Sequence, residues 1–371
     1  MFNESLIQSE FPKITSLYFN SAYMGPLSLR ARTRIQKTIE RFSDPSFLAY
    51  EEWLNLQDQA REKLSHLLGC SIDRIAHQSS VSDLVSLAAG GFPFCGGDTV
   101  VTLSDEYPSN VLPWMIHEKR RPFKLQKLDR ALAYDPALFV RSLPPKTRVV
   151  NLSHVSFQTG DRLDILEIGR RLREREIFFI VDASQSFGGM TVTREELEVI
   201  DLLAVVTYKW LLGPYGHAFG CFSDRAINLV ERSSASWLTM PQAPYGLTEY
   251  TLDTKPGARK FDRGQSPNIL LLQGLIGSLE LIEEVGLSSI EAHNQSLTNH
   301  FIENLPKNKY PLITSSPLKG NIACLKVDSA EELKKGLRQK SIDASVREGN
   351  LRLSFHLFNN LKQVDQLLEV L

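Results

Sequence analysis

Between about residues 75 and 225, short apolar runs alternate with amphipathic stretches, and this alternation constrains the fold more than any other property of the chain. The runs lie near 99–103, 147–152, 177–182, 202–207 and 219–222. The segment Ile177-Phe178-Phe179-Ile180-Val181-Asp182 carries five apolar residues in a row before its acid. A strand with one wet face alternates polar and apolar residues; an unbroken run marks a strand buried on both faces, as in parallel sheets. In the stretch 163–176, Ile165, Leu166, Gly169 and Leu172 fall on one side of a helix, against many charges on the other. The pattern predicts an α/β fold, a mostly parallel sheet with helices on both faces. Residues 28–43 and 49–68 read as further amphipathic helices. After about 235 the composition changes, and 236–266 reads as a long loop rich in Pro, Gly, Thr and Ser. A helix over 268–285, stopped by Gly286, follows. Strands near 322–327 and 351–355 and helices near 289–304, 329–339 and 361–370 complete a smaller α/β unit. The expected division is a large domain over 16–245 and a small one over 246–371 together with 1–15.

The chain has 371 residues, a net charge of −1, 42% hydrophobic and 23% charged residues, which is ordinary for a globular protein with room for a large core. Near-neutrality offers no electrostatic reason to expect nucleic acid as a partner. The first residues lack a basic stretch followed by an apolar one, and no apolar run approaches about 18 residues, so neither a signal peptide nor a membrane span is expected. A cytoplasmic protein is the expectation. Cys70, Cys95, Cys221 and Cys324 are scattered without a C-x-x-C pair, and the eight histidines show no H-E-x-x-H. Free thiols and no metal follow.

Lys209 follows the apolar run 202–206 and precedes a turn rich in Gly and Pro. Burying an ammonium is costly. Either its stem snorkels to water, or desolvation lowers its pKa and makes it a nucleophile able to form a Schiff base with a carbonyl. Asp182 ends the run 177–182, and ligands of open α/β sheets bind outside the carboxyl ends of the strands. An acid there serves as a cap or ion-pair partner, or keeps the ring nitrogen of a bound cofactor protonated. Ser79-Ser80-Val81-Ser82-Asp83 precedes the helical run 84–89 and is either a helix cap or a phosphate cradle.

The segments Asp182-Ala183-Ser184-Gln185 and Tyr208-Lys209-Trp210-Leu211-Leu212-Gly213-Pro214-Tyr215-Gly216 resemble the class V aminotransferase family of fold-type I pyridoxal-phosphate enzymes. Tyr18-Phe19-Asn20-Ser21-Ala22 and Leu351-Arg352-Leu353-Ser354 extend the resemblance over most of the chain in the family's order. The family includes cysteine desulfurases, selenocysteine lyases, kynureninases and isopenicillin-N-epimerase-like proteins. The resemblance implies pyridoxal 5'-phosphate as cofactor, Lys209 as Schiff-base lysine and general base, and Asp182 as partner of the pyridine nitrogen. It implies Gln185 at the ring hydroxyl and Tyr107 stacked on the ring face. Ser80, Val81 and Ser82 stand where the family has its Gly-Ala-Thr phosphate loop, and the hydroxyls of Thr207 and Tyr208 are expected to reach the phosphate. Gly264, Gln265 and Ser266 match the turn that reaches the phosphate of the neighbouring subunit, which implies a homodimer with a shared active site. Arg352 matches the clamp for the carboxylate of an amino-acid substrate, with Asn20, Tyr23 and Phe157 expected in the same pocket.

Three departures bear on the reaction. Phe157 stands where desulfurases carry Asn, and Tyr208 replaces the His of their His-Lys pair. Val346-Arg347-Glu348-Gly349-Asn350 runs directly into Leu351-Arg352, without the loop that carries the desulfurases' nucleophilic cysteine. Transamination or kynureninase-like cleavage at Cβ is therefore expected, with C–S cleavage or epimerisation as alternatives. A cofactor-binding regulator without turnover is the alternative of a different class. A dinucleotide-dependent oxidoreductase is disfavoured, since no G-x-G-x-x-G follows an early strand.

Overall fold

The computed structural model describes residues 2–44, 46, 50–241, 248, 250–263, 268–314, 316 and 318–371. Twelve strands are formed by the described residues: β1 (Leu17–Tyr18), β2 (Ile75–Gln78), β3 (Asp98–Leu103), β4 (Phe123–Leu128), β5 (Thr147–Ser153), β6 (Phe178–Asp182), β7 (Leu202–Val206), β8 (Ala218–Phe222), β9 (Ile322–Leu325), β10 (Ile342–Asp343), β11 (Ser345–Arg347) and β12 (Asn350–Ser354). The α-helices are α1 (Glu4–Glu10), α2 (Leu29–Phe42), α3 (Tyr50–Leu68), α4 (Val81–Gly91), α5 (Leu112–Glu118), α6 (Pro136–Arg141), α7 (Ile165–Glu174), α8 (Arg194–Val199), α9 (Asp224–Leu229), α10 (Ile269–Val285), α11 (Leu287–Asn304), α12 (Ala330–Gln339) and α13 (Leu361–Leu368).

Seven strands form the central sheet in the order β2-β8-β7-β6-β5-β3-β4. From β4 to β7 neighbouring strands run parallel, whereas β8 is antiparallel to both β7 and β2. The apolar runs of the sequence are these strands. Along β6, Phe178 and Ile180 join one apolar cluster, with residues of α4, α5 and α9, while Phe179 and Val181 join the other, with residues of α3, α7 and α10. Successive side chains of a strand point to opposite faces, so a strand covered on both sides must be apolar at every position. Each such side chain contributes roughly 1.5–3 kcal/mol by leaving water. From β3 the chain steps out to the edge strand β4 and returns to β5 on the other side of β3. That reversal opens a crevice at the carboxyl ends of the strands.

The smaller unit packs α11, α12 and α13 on the antiparallel sheet β11-β12-β9, beside the parallel pair β1-β10. The apolar clusters do not follow the division expected at residue 245. Leu272, Leu275, Ile276 and Leu279 of α10 belong to the large cluster, as do Ile7 of α1 and Phe11 at its end, whereas Phe19 belongs to the small one. Among the described residues, no helix is long and apolar enough to cross a membrane.

Candidate active site

A cavity of about 230 Å³ lies at the crevice and collects side chains from five strand ends. Ser80, Val81 and Ser82 follow β2, Tyr107 follows β3, Phe157 follows β5, Asp182 closes β6, and Tyr208 and Lys209 follow β7; all of them line it, together with Gln185. β2 lies at the sheet's edge but runs in the sense of β7, so its carboxyl end opens on the same side.

Lys209 is buried, with its Nζ 5.6 Å from the ring centre of Tyr107 and 5.8 Å from that of Tyr208. Burial pushes its pKa down to about 8; the Asp182 carboxylate opposes the shift, and Arg352 and Arg347 add to it. Asp182 is 5% exposed. Its Oδ1 accepts from the Ser184 backbone N–H at 2.9 Å and its Oδ2 from Asn110 Nδ2 at 3.0 Å. Asn110 Nδ2 also faces Ser153 Oγ at 3.1 Å and Glu106 Oε2 at 3.3 Å. Glu106 in turn accepts from the Ser153 N–H and hydroxyl and from Arg130. The β5–β6 register sets Ser153 directly beside Asp182, so this network is anchored in the sheet itself.

Gln185 is fixed at both ends. Its Nε2 donates to the Ala22 carbonyl at 3.0 Å, and its Oε1 accepts from Trp210 Nε1 at 3.2 Å. The amide keeps a second N–H beyond the bond to Ala22, and Gln185 lines the cavity. Ser80 caps α4 by accepting from the Asp83 N–H at 3.1 Å, and the Ser82 hydroxyl meets Ser109 Oγ at 2.9 Å. The first backbone N–H groups of α4 and these hydroxyls form a donor set suited to an anion. Tyr208 packs on Tyr215, ring centres 4.1 Å apart, and burial raises its phenol pKa. Tyr107 meets Phe157 edge to face at 5.1 Å.

Arg352 sits on β12 in the small unit and is 2% exposed. Its Nε donates to Ser345 Oγ at 3.1 Å and its Nη1 to the Phe157 carbonyl at 2.8 Å, which brings it to the cavity wall. Among the described residues, its buried Nη2 has no hydrogen-bond partner. Burial, followed by the charge of Arg347, pushes its pKa down to about 10. An unpaired buried guanidinium nitrogen is costly unless an anion completes it.

Three expected contacts are not made at the cavity. The Thr207 hydroxyl donates to the His217 carbonyl at 3.1 Å and is fully buried away from the cavity. Asn20 is buried beside Ser354, its Nδ2 3.4 Å from Asp343 Oδ2. Tyr23 is 57% exposed at the surface. Gly264, Gln265 and Ser266 lie outside the described residues. Sequence reasoning missed Asn110 and Ser153, which hold Asp182 in place, and the bond by which Trp210 fixes Gln185. Their one visible signal is position: Ser153 directly follows an apolar run and Trp210 follows Lys209, whereas Asn110 lies three residues beyond Tyr107. Among the described residues, no cluster of His, Cys, Asp and Glu is arranged to hold a metal ion.

Fold and site together define an α/β enzyme that presents a desolvated lysine and an aspartate across one cavity. The chain belongs to the aminotransferase class-V family, whose model matches residues 49–367. The enzymes of this family depend on pyridoxal phosphate. A probable cysteine desulfurase of Methanothermobacter thermautotrophicus is 30% identical over 65% of this chain and 59% of that protein. One of Pyrococcus abyssi is 27% identical over 94% of this chain and 88% of its own length. Among solved structures, a complex between the cystine C–S lyase C-DES and its reaction product cysteine persulfide superposes with a TM-score of 0.89. Its sequence is 20% identical, and the match covers 97% of this chain and 98% of that one.

Proposed function

We propose that this chain is a pyridoxal-phosphate enzyme that expels a sulfur-bearing group from Cβ of a small amino acid, with no cysteine of its own receiving the sulfur. The observation that carries the reading is the turn beside Arg352. Glu348 and Gly349, both at positive φ, join β11 to β12 in two residues, and Arg347 pairs with Asn350 across them. That leaves no room for a loop bearing a sulfur acceptor. Cys324 is the cysteine opposite Arg352 in the β12–β9 register. It is buried, its thiol donates to the Gln158 carbonyl at 2.6 Å, and burial pushes its pKa up to about 12. A thiol so held is no nucleophile. Relatives described as probable cysteine desulfurases, and a structural neighbour that is a cystine C–S lyase, support sulfur amino acids as the substrate class.

The residues present fit the cofactor. Lys209 would carry it, Asp182 would face its ring nitrogen, and Gln185 would donate to its ring hydroxyl. The start of α4 with Ser82, and the Tyr208 hydroxyl, would hold its phosphate. When bound, pyridoxal phosphate supplies an electron sink for the pair left at Cα. Arg352 would bind the α-carboxylate through its unpaired Nη2. Lys209 Nζ, neutral at modest cost because of its burial, would take the proton from Cα. With the Cβ–S pair leaving on sulfur, cysteine and water give pyruvate, ammonia and hydrogen sulfide. Tyr107 and Phe157 form an aromatic wall that also favours a second reading, kynureninase-like cleavage at Cβ. The shared-site homodimer belongs to this proposal, with Gly264, Gln265 and Ser266 approaching the neighbour's phosphate.

The test is a product assay of the cofactor-loaded enzyme on cysteine, cystine and kynurenine, with Lys209→Ala as control. Pyruvate and ammonia released in equal amounts with a sulfur product support the proposal. A keto acid that keeps its sulfur indicates transamination instead, and anthranilate from kynurenine indicates the second reading. A cofactor band with no turnover on any amino acid would leave the regulator.

A further inference from the structure

Two cysteines far from the active site stand sulfur to sulfur. Cys70 and Cys221 are 151 residues apart in the chain, and their Sγ atoms lie 3.8 Å apart. Cys221 is buried in β8, registered against Ile75 of β2 and Leu203 of β7. Cys70 is half-buried just beyond the end of α3, where its backbone N–H donates to the Ser65 carbonyl at 3.0 Å. It lies between α3 and a short 3₁₀ turn, Ile72–Arg74, outside any regular element. One sulfur is thus fixed in the sheet while the other sits on a short segment outside helix and strand. A disulfide needs the sulfurs at about 2.05 Å, within reach of side-chain rotation plus a small shift of that segment.

The surroundings separate the two roles. The Cys221 thiol and the charge of Arg74 hold the Cys70 thiol below its usual range, while the Cys70 contact and burial push Cys221 well up. Arg74 is itself anchored, its Nε donating to the Phe222 carbonyl at 2.7 Å. The accessible sulfur is therefore the better nucleophile and the buried one its resolving partner.

We propose that Cys70 and Cys221 are a redox pair that closes to an intramolecular disulfide when the protein meets a hydroperoxide, clasping the end of α3 to the central sheet. In the first step the Cys70 thiolate attacks one peroxide oxygen. The O–O bond breaks, leaving a sulfenic acid on Cys70 and, after protonation, one water. In the second, Cys221 sulfur displaces that hydroxyl, and the thiol proton of Cys221 leaves with it as a second water. Two thiols and one hydrogen peroxide give one disulfide and two waters; the sulfurs lose two electrons and the peroxide gains them. Cys221 stands near the end of β8 remote from Gly216, which lines the cavity. At about 3.3 Å per residue the clasp closes more than 10 Å from the catalytic cavity. Its effect is on stability, since it closes a loop of about 150 residues in the unfolded chain.

The experiment uses the full-length protein carrying Cys95→Ser, because Cys95 is exposed and would otherwise cross-link chains. After treatment with hydrogen peroxide, free thiols are alkylated under denaturing conditions and tryptic peptides are weighed. The expected result is a peptide 64–74 joined to a peptide 210–225, two hydrogen masses lighter than their sum. A rise of several degrees in the unfolding midpoint accompanies it, and dithiothreitol reverses both. Cys70→Ser, at a half-buried position that tolerates the change, abolishes the rise and leaves Cys221 alkylated. The proposal is overturned if Cys70 is found as sulfinic acid beside an alkylated Cys221, if both remain alkylated, or if Cys70→Ser shows the same rise.

Discussion

At the scale of single residues, the chemistry of Lys209 is set by what burial does to an ammonium. Its pKa of about 8 places the neutral amine in the majority well below the pH at which a solvated lysine loses its proton. Capture of pyridoxal phosphate by the cofactor-free protein, trapped with borohydride and counted by mass, should rise with a midpoint near pH 8. In Asp182→Asn the midpoint should move lower, because the carboxylate is the charge that holds the pKa up. A midpoint near 10 would show a solvated amine. The same shift acts on stability. Between pH 8 and 10.5 the unfolded chain binds the proton that the folded one has lost, so this group adds stability as pH rises and imposes its full cost below pH 8. The amplitude is roughly 3 kcal/mol, and Lys209→Met should flatten that slope in urea titrations of the cofactor-free protein. Arg352 obeys a different rule, geometry. A lysine cannot span Ser345 Oγ, the Phe157 carbonyl and a substrate carboxylate at once. Arg352→Lys should raise KM for the amino acid ten- to about a hundredfold, the weight of one charged hydrogen bond, with a smaller change in kcat. An unchanged KM would remove Arg352 from the substrate's reach.

At the scale of elements, the hairpin β11–β12 shows how a turn decides chemistry. Gly349 has φ +76°, and an added Cβ would meet nothing within 4 Å, so the strain of replacing it is purely conformational. Gly349→Val should cost about 1–2 kcal/mol, seen as a lowered unfolding midpoint. Because Arg352 lies three residues on, KM should rise in parallel; a midpoint that falls with KM intact would separate the turn from the site. This hairpin was legible as the direct run from Val346 to Arg352, just as β3, β5, β6 and β7 were legible as apolar runs. The edge strand β4 was not. Its sequence, Phe123-Lys124-Leu125-Gln126-Lys127-Leu128, is half solvated and carries two lysines, which offers no buried run to see. β2 escaped for another reason: its four residues include His77 and Gln78, buried polar groups whose hydrogen bonds only the folded chain supplies. The same holds in the site. Lys209, Asp182 and Gln185 stand out because motif and strand end coincide, whereas the bond from Arg352 to the Phe157 carbonyl joins residues 195 apart, and no local pattern encodes it.

At the scale of the whole molecule, the segment from Phe19 to Gly25 ties the two units together through the active site. Phe19 packs in the small core, and the Ala22 N–H donates to Ser354 Oγ at 2.9 Å on β12. The Ala22 carbonyl accepts from Gln185, and the Gly25 N–H donates to the Tyr208 carbonyl at 2.7 Å. A second tie runs through Trp210, whose indole N–H reaches Gln185 while its carbonyl accepts from His356 Nε2 at 2.9 Å. Burial holds His356 neutral, with a pKa of about 3, so this tie does not loosen at physiological pH. The segment fits because Gly25 has no side chain. A Cβ there would stand 2.2 Å from the Lys209 carbonyl oxygen and 2.6 Å from Leu212 Cδ2. Neither the backbone of Lys209 nor a leucine in the large core can retreat without moving the lysine or opening the core. Gly25→Ala should therefore do two things together: lower the unfolding midpoint, at a cost of about 1–3 kcal/mol typical of overpacking, and weaken pyridoxal phosphate binding by displacing Lys209 and Gln185 from their common wall. Cofactor titration by fluorescence and thermal melts with and without cofactor measure both. Ser354→Ala, which strands the Ala22 N–H without a clash, should show the same two effects in smaller degree. If both variants melt earlier yet bind the cofactor as the parent does, the segment is a structural tie alone, and the small unit has no hold on Lys209.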